Sequence, residues 1–328
     1  AAIGEEAFVP VPVHTQSRAL FLIEEKPLSF GRLELGARVE SVRHRPEGTA
    51  GNDRDYTPLS LSAGLLWDLD AHRHLRLNLT RAQRAPVPEE LYADGPHLAT
   101  GTFELGAVTL GRDFTEETST NLELSLDQHH GRFSATVNLF YNPIRDYGLL
   151  AATDEDGDGQ ADRVNEEGEL EADGELLRVE QTQADARFYG AEAEARYRFL
   201  SGPLRLSGRV FADLVRGELD AGPHLPRITP TRYGLGLDGG WRGFQASLTL
   251  TEVADQTRVA DLESPTEGYR LLSADLSHRW TLGELQPEVY VQGRNLLDEE
   301  ARRHTSFLKD RAPLPGVTVL GGLRLRFF

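Results

Sequence analysis

Stretch after stretch of this chain alternates with period two, and the second phase of the alternation is charged. Leu33, Leu35, Ala37 and Val39 share one phase, and Arg32, Glu34, Arg38 and Glu40 the other. Leu75, Leu77 and Leu79 alternate with Arg76, Asn78 and Thr80; Leu122, Leu124 and Leu126 alternate with Asn121, Glu123 and Ser125. Such alternation puts the two sets on opposite faces of a β-strand. A soluble sandwich or small barrel turns its apolar face inward. Here the other face carries Arg, Glu and Asp too often for it to be buried in a packed core. The stretches run to about 10–15 residues, long for soluble sheets and right for tilted bilayer crossings. The pattern predicts an all-β fold: a transmembrane antiparallel β-barrel with lipid outside and a wet lumen. A soluble, secreted solenoid or sandwich with one solvated face is the alternative.

Composition narrows the partners. With 52 acidic and 35 basic residues the formal net charge is -17, which argues against a nucleic-acid partner and for a surface that attracts cations. Cysteine is absent, which excludes a disulfide framework and a thiolate metal site. No apolar run reaches about 18 residues, so no membrane-spanning helix is predicted, and no signal peptide is recognisable. Neither argues against a barrel, whose strands look polar on average. Methionine is absent even at position 1, so the N-terminus reads as a processing site or a truncation.

Taken in order, the chain predicts about 14 strands, counting a stub at Ala1–Phe8. Val9–Ser17 reads as a turn and Ser17–Glu25 as the next strand. Later strands are predicted at Gly31–Arg43, Leu59–Leu69, before Ala82, and at Asn121–Gln128, Phe133–Tyr147, Arg187–Phe199 and Leu204–Leu219. They continue at Thr231–Trp241, Phe244–Asp255, Tyr269–Trp280, Glu288–Leu296 and Val317–Phe328. Short turns alternate with long loops, as in outer-membrane barrels. Leu33, Leu35, Leu61, Leu65, Leu77, Leu124, Val137, Leu139, Leu206, Val210, Leu248 and Leu325 are expected to face lipid, and Arg38, Glu123 and Arg209 the lumen. Two long segments stand out: Ala82–Gly106, rich in Gly and Pro, and the acidic Thr153–Gly174. A loop that long without periodicity of its own is usually functional or disordered.

Several of these stretches resemble a known family. The run GRNLLDEEARRHTSFLKDRAPLPG at Gly293–Gly316 is similar to the Asn-Leu-x-Asp motif near the last strands of TonB-dependent outer-membrane receptors. The stretches Glu90–Gly106, Gln183–Tyr197 and Pro226–Leu237 resemble the same family, and together they look most like its zinc-uptake, ZnuD-like branch. The resemblance implies a bacterial outer-membrane protein that imports a metal, zinc or a metal complex. A passive porin-like channel and a siderophore receptor are the alternatives. Family members carry an N-terminal plug, an energy-coupling box and a barrel of roughly 22 strands, so residues 1–328 are expected to be one barrel domain, the C-terminal part of a larger barrel. The implied partners are outer-membrane lipid, the TonB complex through N-terminal parts that this chain lacks, and the barrel-assembly machinery. That machinery reads a terminal aromatic residue; Val317, Val319, Leu323, Leu325 and Phe327 share a phase that Phe328 leaves, so Phe327 is expected to be that residue.

The resemblance also implies that His97 coordinates zinc. Neutral imidazole suits zinc, and carboxylates can complete a sphere of about four ligands. Asp94 and Glu104 are near in sequence, and His304 is expected on another loop at the same rim. Binding at His97 should fall as the pH drops through roughly 6.5, where imidazole gains a proton. A second constellation is DEDGDGQAD, Asp154–Asp162. Asp154, Asp156, Asp158, Gln160 and Asp162 fall on alternate positions around Gly159, as in the first part of an EF-hand-type calcium loop. Position 12 is Asn165 rather than Glu, so a solvated acidic loop is the competing reading. His72, His74, His129 and His130 read as solvated turn residues. No nucleophile–base arrangement stands out beyond a weak Thr305–Ser306 beside His304, and the chain reads as a non-enzyme.

Overall fold

The computed structural model describes residues 8–48, 53–155, 157–222 and 224–327. Most of the predicted N-terminal stub, Asp156 of the acidic loop and Phe328 lie outside the described residues.

Among the described residues seventeen strands form one sheet. They are β1 (Val13–Leu28), β2 (Gly31–Pro46), β3 (Arg54–Tyr56), β4 (Leu59–Asp70), β5 (Arg73–Arg84), β6 (Asp94–His97), β7 (Thr102–Leu105), β8 (Glu117–His130) and β9 (Phe133–Ala152). Then come β10 (Arg163–Val164), β11 (Leu176–Ser201), β12 (Leu204–Leu219), β13 (Arg232–Trp241), β14 (Phe244–Val253), β15 (Tyr269–Arg279), β16 (Leu285–Arg294) and β17 (Thr318–Phe327). Four of them, β3, β6, β7 and β10, are short pieces at the long-loop end; the other thirteen form the wall, each antiparallel to the next. Among the described residues β1 pairs only with β2 and β17 only with β16. Two free edges are not viable against hydrocarbon, where every backbone N–H and C=O needs a partner. That geometry is the one expected of part of a larger barrel.

The cross-strand register turns the alternation into two continuous faces. Leu33, Leu65, Leu77, Leu124, Leu139, Ala191 and Leu214 follow one another as direct partners from β2 to β12. On the opposite face Arg76, Ser125, Asn138, Glu192, Asp213 and Arg232 do the same from β5 to β13. The polar face is concave: grooves of about 590 and 640 Å3 are lined by Arg205, Asp238, Asp275 and Gln292, and by Asn121, Glu123, Asn138 and Glu192. The apolar face stays exposed, as at Leu35, Leu61, Leu77, Val210 and Leu248. Lumenal charges are matched in pairs, Arg209 with Glu194 at 3.4 Å, Arg196 with Asp238 at 3.4 Å and Arg294 with Asp275 at 2.8 Å. Each is solvated and contributes at most about 1 kcal/mol.

Some boundaries differ from the sequence reading. The expected turn over Val9–Ser17 already contains strand, because β2 extends to Pro46 and offers Val13 a partner there. The strand predicted from Arg187 starts at Leu176, because its first half pairs with the end of β9 and, in parallel, with β7. At the short-turn end, Arg242 and Gly243 link β13 to β14 with φ of 45° and 86°. Such left-handed pairs suit two-residue hairpins, and a Cβ on Gly243 would lie 2.3 Å from the Arg279 carbonyl oxygen. Trp241, Phe244, His278 and Trp280 stack in a row at this end, an interfacial aromatic belt. His72 and His130 meet at 4.5 Å on neighbouring turns of the same end.

The packed core lies at the long-loop end. The central segment, expected to be an irregular loop, contains a short helix, α1 (Pro88–Tyr92), and the hairpin β6–β7. Leu91 and Tyr92 of α1 pack with Val42, Tyr56, Ala107 and Phe114. Gly106 lets the backbone after β7 approach α1, donating from its N to the Ala93 oxygen at 2.6 Å; a Cβ there would lie 2.6 Å from the Ala93 nitrogen. A second cluster joins Phe103 of β7 to Val164 and Leu176. These clusters fix the hairpin relative to the wall.

Candidate metal and ligand sites at the long-loop end

His97 ends β6, and β7 returns directly beside it, with Thr102 opposite His97 and Glu104 opposite Gly95. Nδ1 of His97 lies 2.8 Å from Oε1 of Glu104. Thr102 Oγ1 donates to the same carboxylate oxygen at 3.0 Å, and Thr100 Oγ1 lies 2.6 Å from Thr102 Oγ1. Glu104 and Thr102 are buried, whereas the His97 side chain is 31% exposed. The ring stacks on Phe8 at 4.2 Å with the planes 5° apart. With Nδ1 carrying the proton toward Glu104, Nε2 presents its lone pair, the arrangement in which a carboxylate orients a metal-binding imidazole. Asp94 is exposed, ties its backbone N to the Phe8 oxygen at 2.8 Å, and among the described residues makes no side-chain hydrogen bond to His97.

His304 belongs to a different cluster. It is fully buried, with Nδ1 3.0 Å from Thr266 Oγ1 and Nε2 3.2 Å from Glu263 Oε1. Lys309 Nζ donates to the same Glu263 oxygen at 2.9 Å and to the Ser264 carbonyl at 2.7 Å. Burial would raise the Glu263 carboxyl, but hydrogen bonds from His304, Lys309 and the backbone of Ala260 and Arg227 outweigh it and hold it down to about 2. The cluster therefore clips the loop before β15 to the loop before β17. Glu263, Thr266 and Lys309 were not singled out from the sequence; one signal was there, since Lys309 and Lys26 are the only lysines in an arginine-rich chain. Among the described residues no group of three or more His, Cys, Asp or Glu side chains is arranged to hold a metal ion.

In the acidic loop the carboxylates face their own backbone. Asp154 accepts from the N–H of Asp158 at 3.1 Å and of Gly159 at 3.0 Å. Asp158 accepts from Gln160 N at 2.7 Å and from Gln160 Nε2 at 3.0 Å, and the buried Asp162 accepts from Glu155 N at 3.0 Å. Arg178 pairs with Glu155 and lies 3.9 Å from Asp162. Between this loop, the β6–β7 turn and the clip lies a cavity of about 540 Å3, lined among others by Thr100, Thr102, Arg163, Arg227, Glu263 and Lys309.

A wall with a polar, grooved face, an exposed apolar face and a folded loop end has the features of an outer-membrane β-barrel. The family model for the TonB dependent receptor-like beta-barrel matches residues 9–296, and the chain belongs to that family of bacterial outer-membrane proteins. Among solved structures it is similar to the copper transporter OprC, at 20% identity and a TM-score of 0.73, covering 96% of this chain and 48% of that one. It is also similar to the FrpB iron transporter from Neisseria meningitidis (15% identity, TM-score 0.67, 96% of this chain and 46% of that one). A third is the ferric-catecholate import receptor Fiu from K12 E. coli (14% identity, TM-score 0.61, 96% and 45%). The chain thus spans about half the length of the structures it matches.

Proposed function

We propose that residues 1–328 form one barrel domain of an outer-membrane importer of a metal ion or metal complex, with zinc as the favoured cargo. The observation that carries this reading is the His97–Glu104 pair: a half-exposed imidazole whose Nδ1 is held at 2.8 Å by a buried carboxylate, leaving Nε2 toward solvent. Imidazole nitrogen is a strong ligand for zinc and for copper. Glu104 acts here as the orienting group. Asp94 and His304, with their present partners, would join a zinc sphere only after rearrangement. The names of two similar structures, a copper transporter and an iron transporter, support a metal cargo in general terms. Uptake would draw on the TonB complex, and insertion on the barrel-assembly machinery and outer-membrane lipid. Zinc titration of the intact protein and of His97→Ala at pH 7.5 tests the site; equal affinities remove His97 from it.

The loop at Asp154–Asp162 is proposed as a calcium site, with Asp154, Asp158, Gln160 and Asp162 as oxygen donors and Asp156 outside the described residues. Support comes from the spacing and from Gly157 and Gly159, whose φ of 73° and 82° allow the loop to curl. Calcorimetric titration of the protein against Asp154→Ala and Asp158→Ala decides it, and identical heats reject it.

A further inference from the structure

The apolar phase of the wall does not stay apolar up to the long-loop end. On β5 it runs Leu75, Leu77, Leu79 and then Arg81; on β9 it runs Val137, Leu139, Tyr141, Pro143 and then Arg145. Arg81 is paired across with Leu61 and Thr120, and Arg145 with Thr118, all in the lipid-facing phase. The chain neighbour Ile144 marks the other face, where it is buried. At about 3.4 Å per residue and a tilt of about 40°, Arg81 stands roughly 20 Å and Arg145 roughly 30 Å above the short turns, on either side of the outer edge of an apolar band about 25 Å tall.

Other arginines of this phase near the same end have acids. Arg43 pairs with Asp55, Arg45 with Asp53 at 3.1 Å, Arg187 with Glu218 at 3.1 Å and Arg270 with Glu252. Arg216 donates to the Val215 carbonyl at 3.1 Å, and Arg18 lies on the open edge strand β1. Among the described residues the exposed side chains of Arg81 and Arg145 have neither a carboxylate within ion-pair distance nor a hydrogen bond. Glu116, just before β8, accepts from the Thr57 N–H at 2.9 Å, and Asp185 from the Asp146 N–H at 3.1 Å. The register sets the Arg81 and Arg145 Cα atoms about 12 Å apart, across β8. Between them β8 presents Thr118 and Thr120, and Gln83 donates from Nε2 to Thr118 Oγ1 at 3.1 Å. An unpaired guanidinium against hydrocarbon is costly, and it reaches outward for the headgroups. Its fork of donors matches phosphate oxygens. In a chain of net charge -17 this patch is local and anion-seeking.

We propose that Arg81, Thr118, Thr120 and Arg145 bind the anionic, phosphate-bearing headgroup of an outer-leaflet lipid. Each guanidinium takes phosphate oxygens, and the threonine hydroxyls donate between them. The separation of the two cations suits a headgroup that carries two phosphates. The acyl chains then lie on the exposed row Leu79, Leu122 and Tyr141, which the register places directly below. The outer leaflet is the one concerned, because the long loops of such barrels face outward. The site is on the outer face of the wall and does not depend on the metal-import reading.

The test uses the intact protein in detergent, titrated by native mass spectrometry with diphosphoryl lipid A, with zwitterionic phosphatidylcholine and with inorganic phosphate as competitor. The wild type should prefer diphosphoryl lipid A to phosphatidylcholine by at least about tenfold, as expected when charge-assisted hydrogen bonds add to apolar contact. Arg81→Gln and Arg145→Gln should each weaken lipid A binding several-fold, and the double variant at least about tenfold, with phosphatidylcholine binding unchanged. Both substitutions remove charge from exposed side chains that make no bond in the protein, so the barrel should still fold. Arg209→Gln, on the lumenal face, is the control and should leave lipid A binding as it was. Equal lipid A affinity in the wild type and the double variant overturns the proposal, and so does a wild type that binds the two lipids equally. A loss in Arg209→Gln as large as in the double variant also overturns it. Competition by inorganic phosphate as strong, mole for mole, as by lipid A would make this a free-phosphate site and reject the lipid headgroup.

Discussion

Nδ1 of His97 lies 2.8 Å from Oε1 of Glu104, and the carboxylate is much more deeply buried than the ring it holds. The buried partner is itself held by Thr102, so the imidazole is oriented from behind and open in front. Orienting groups of this kind typically change metal affinity by about 10–100-fold when removed. Glu104→Gln, which keeps an acceptor and loses the charge, should weaken zinc binding about tenfold. Thr102→Val removes the hydrogen bonds to Glu104 and to Thr100, each worth about 1 kcal/mol, and should weaken zinc binding less than Glu104→Gln does. Wild-type zinc affinity in Glu104→Gln, measured calorimetrically, would end the orienting role.

The clip at Glu263 should be sensitive to acid. Its carboxyl is held down to about 2 in the folded protein against an ordinary value of 4.5. A depressed folded value contributes stability that is full above about 4.5 and is lost as the pH falls toward 2. Hydrogen exchange, corrected for intrinsic rates, should show protection in segments 254–268 and 297–316 falling between pH 5 and pH 2.5. Glu263→Gln leaves Lys309 buried without its counter-charge, a change that costs about 3–5 kcal/mol in comparable pairs, and should loosen both segments at neutral pH. Unchanged protection in that variant would refute the clip.

Val210 and its chain neighbour Arg209 make a direct test of the two faces. Val210 is exposed on the convex face, partnered by Ala195 and Leu235. Val210→Arg should destabilise the inserted barrel by about 2–4 kcal/mol near the midplane. Arg209→Leu loses a solvated pair with Glu194, worth about 1 kcal/mol at most, and an exposed cation–π contact with Phe211 at 4.9 Å of about the same size. Denaturant unfolding from lipid vesicles reports both, and equal effects would contradict the assignment of faces.

The last strand should act as an assembly signal. Phe327 is 77% exposed and ends the apolar phase of β17, opposite Leu285. Removing Phe328 should leave the amount of protein in the outer-membrane fraction unchanged, and removing both phenylalanines should lower it several-fold. Normal insertion after loss of both rejects the signal.

The strand faces were legible because alternation is local. Each residue reports its own side of the pleat, and Leu204–Leu219 was bounded correctly without any knowledge of its neighbours. The His97–Glu104 pair was half legible: their proximity in sequence permits a hairpin, and the Thr100–Gly101 turn closes it. The environment of His304 was not, because Glu263 and Lys309 reach it from separate places in the chain and only the docking of two loops joins them.

The sequence by itself therefore determined the class of fold, the two faces of the wall and the end of the barrel that carries the long loops, since period, charge and loop length are properties of the chain. Tertiary structure decided the rest. It extended β11 along β9 and β7, since a strand grows where partners offer free backbone groups. It separated His97 from His304, since His97 pairs with Glu104 inside its own hairpin while His304 is buried against Glu263 and Thr266 of another loop. And it set Arg227 over Phe307 with, among the described residues, no carboxylate within ion-pair distance, a relation that resides in distances between loops and in no local pattern of residues.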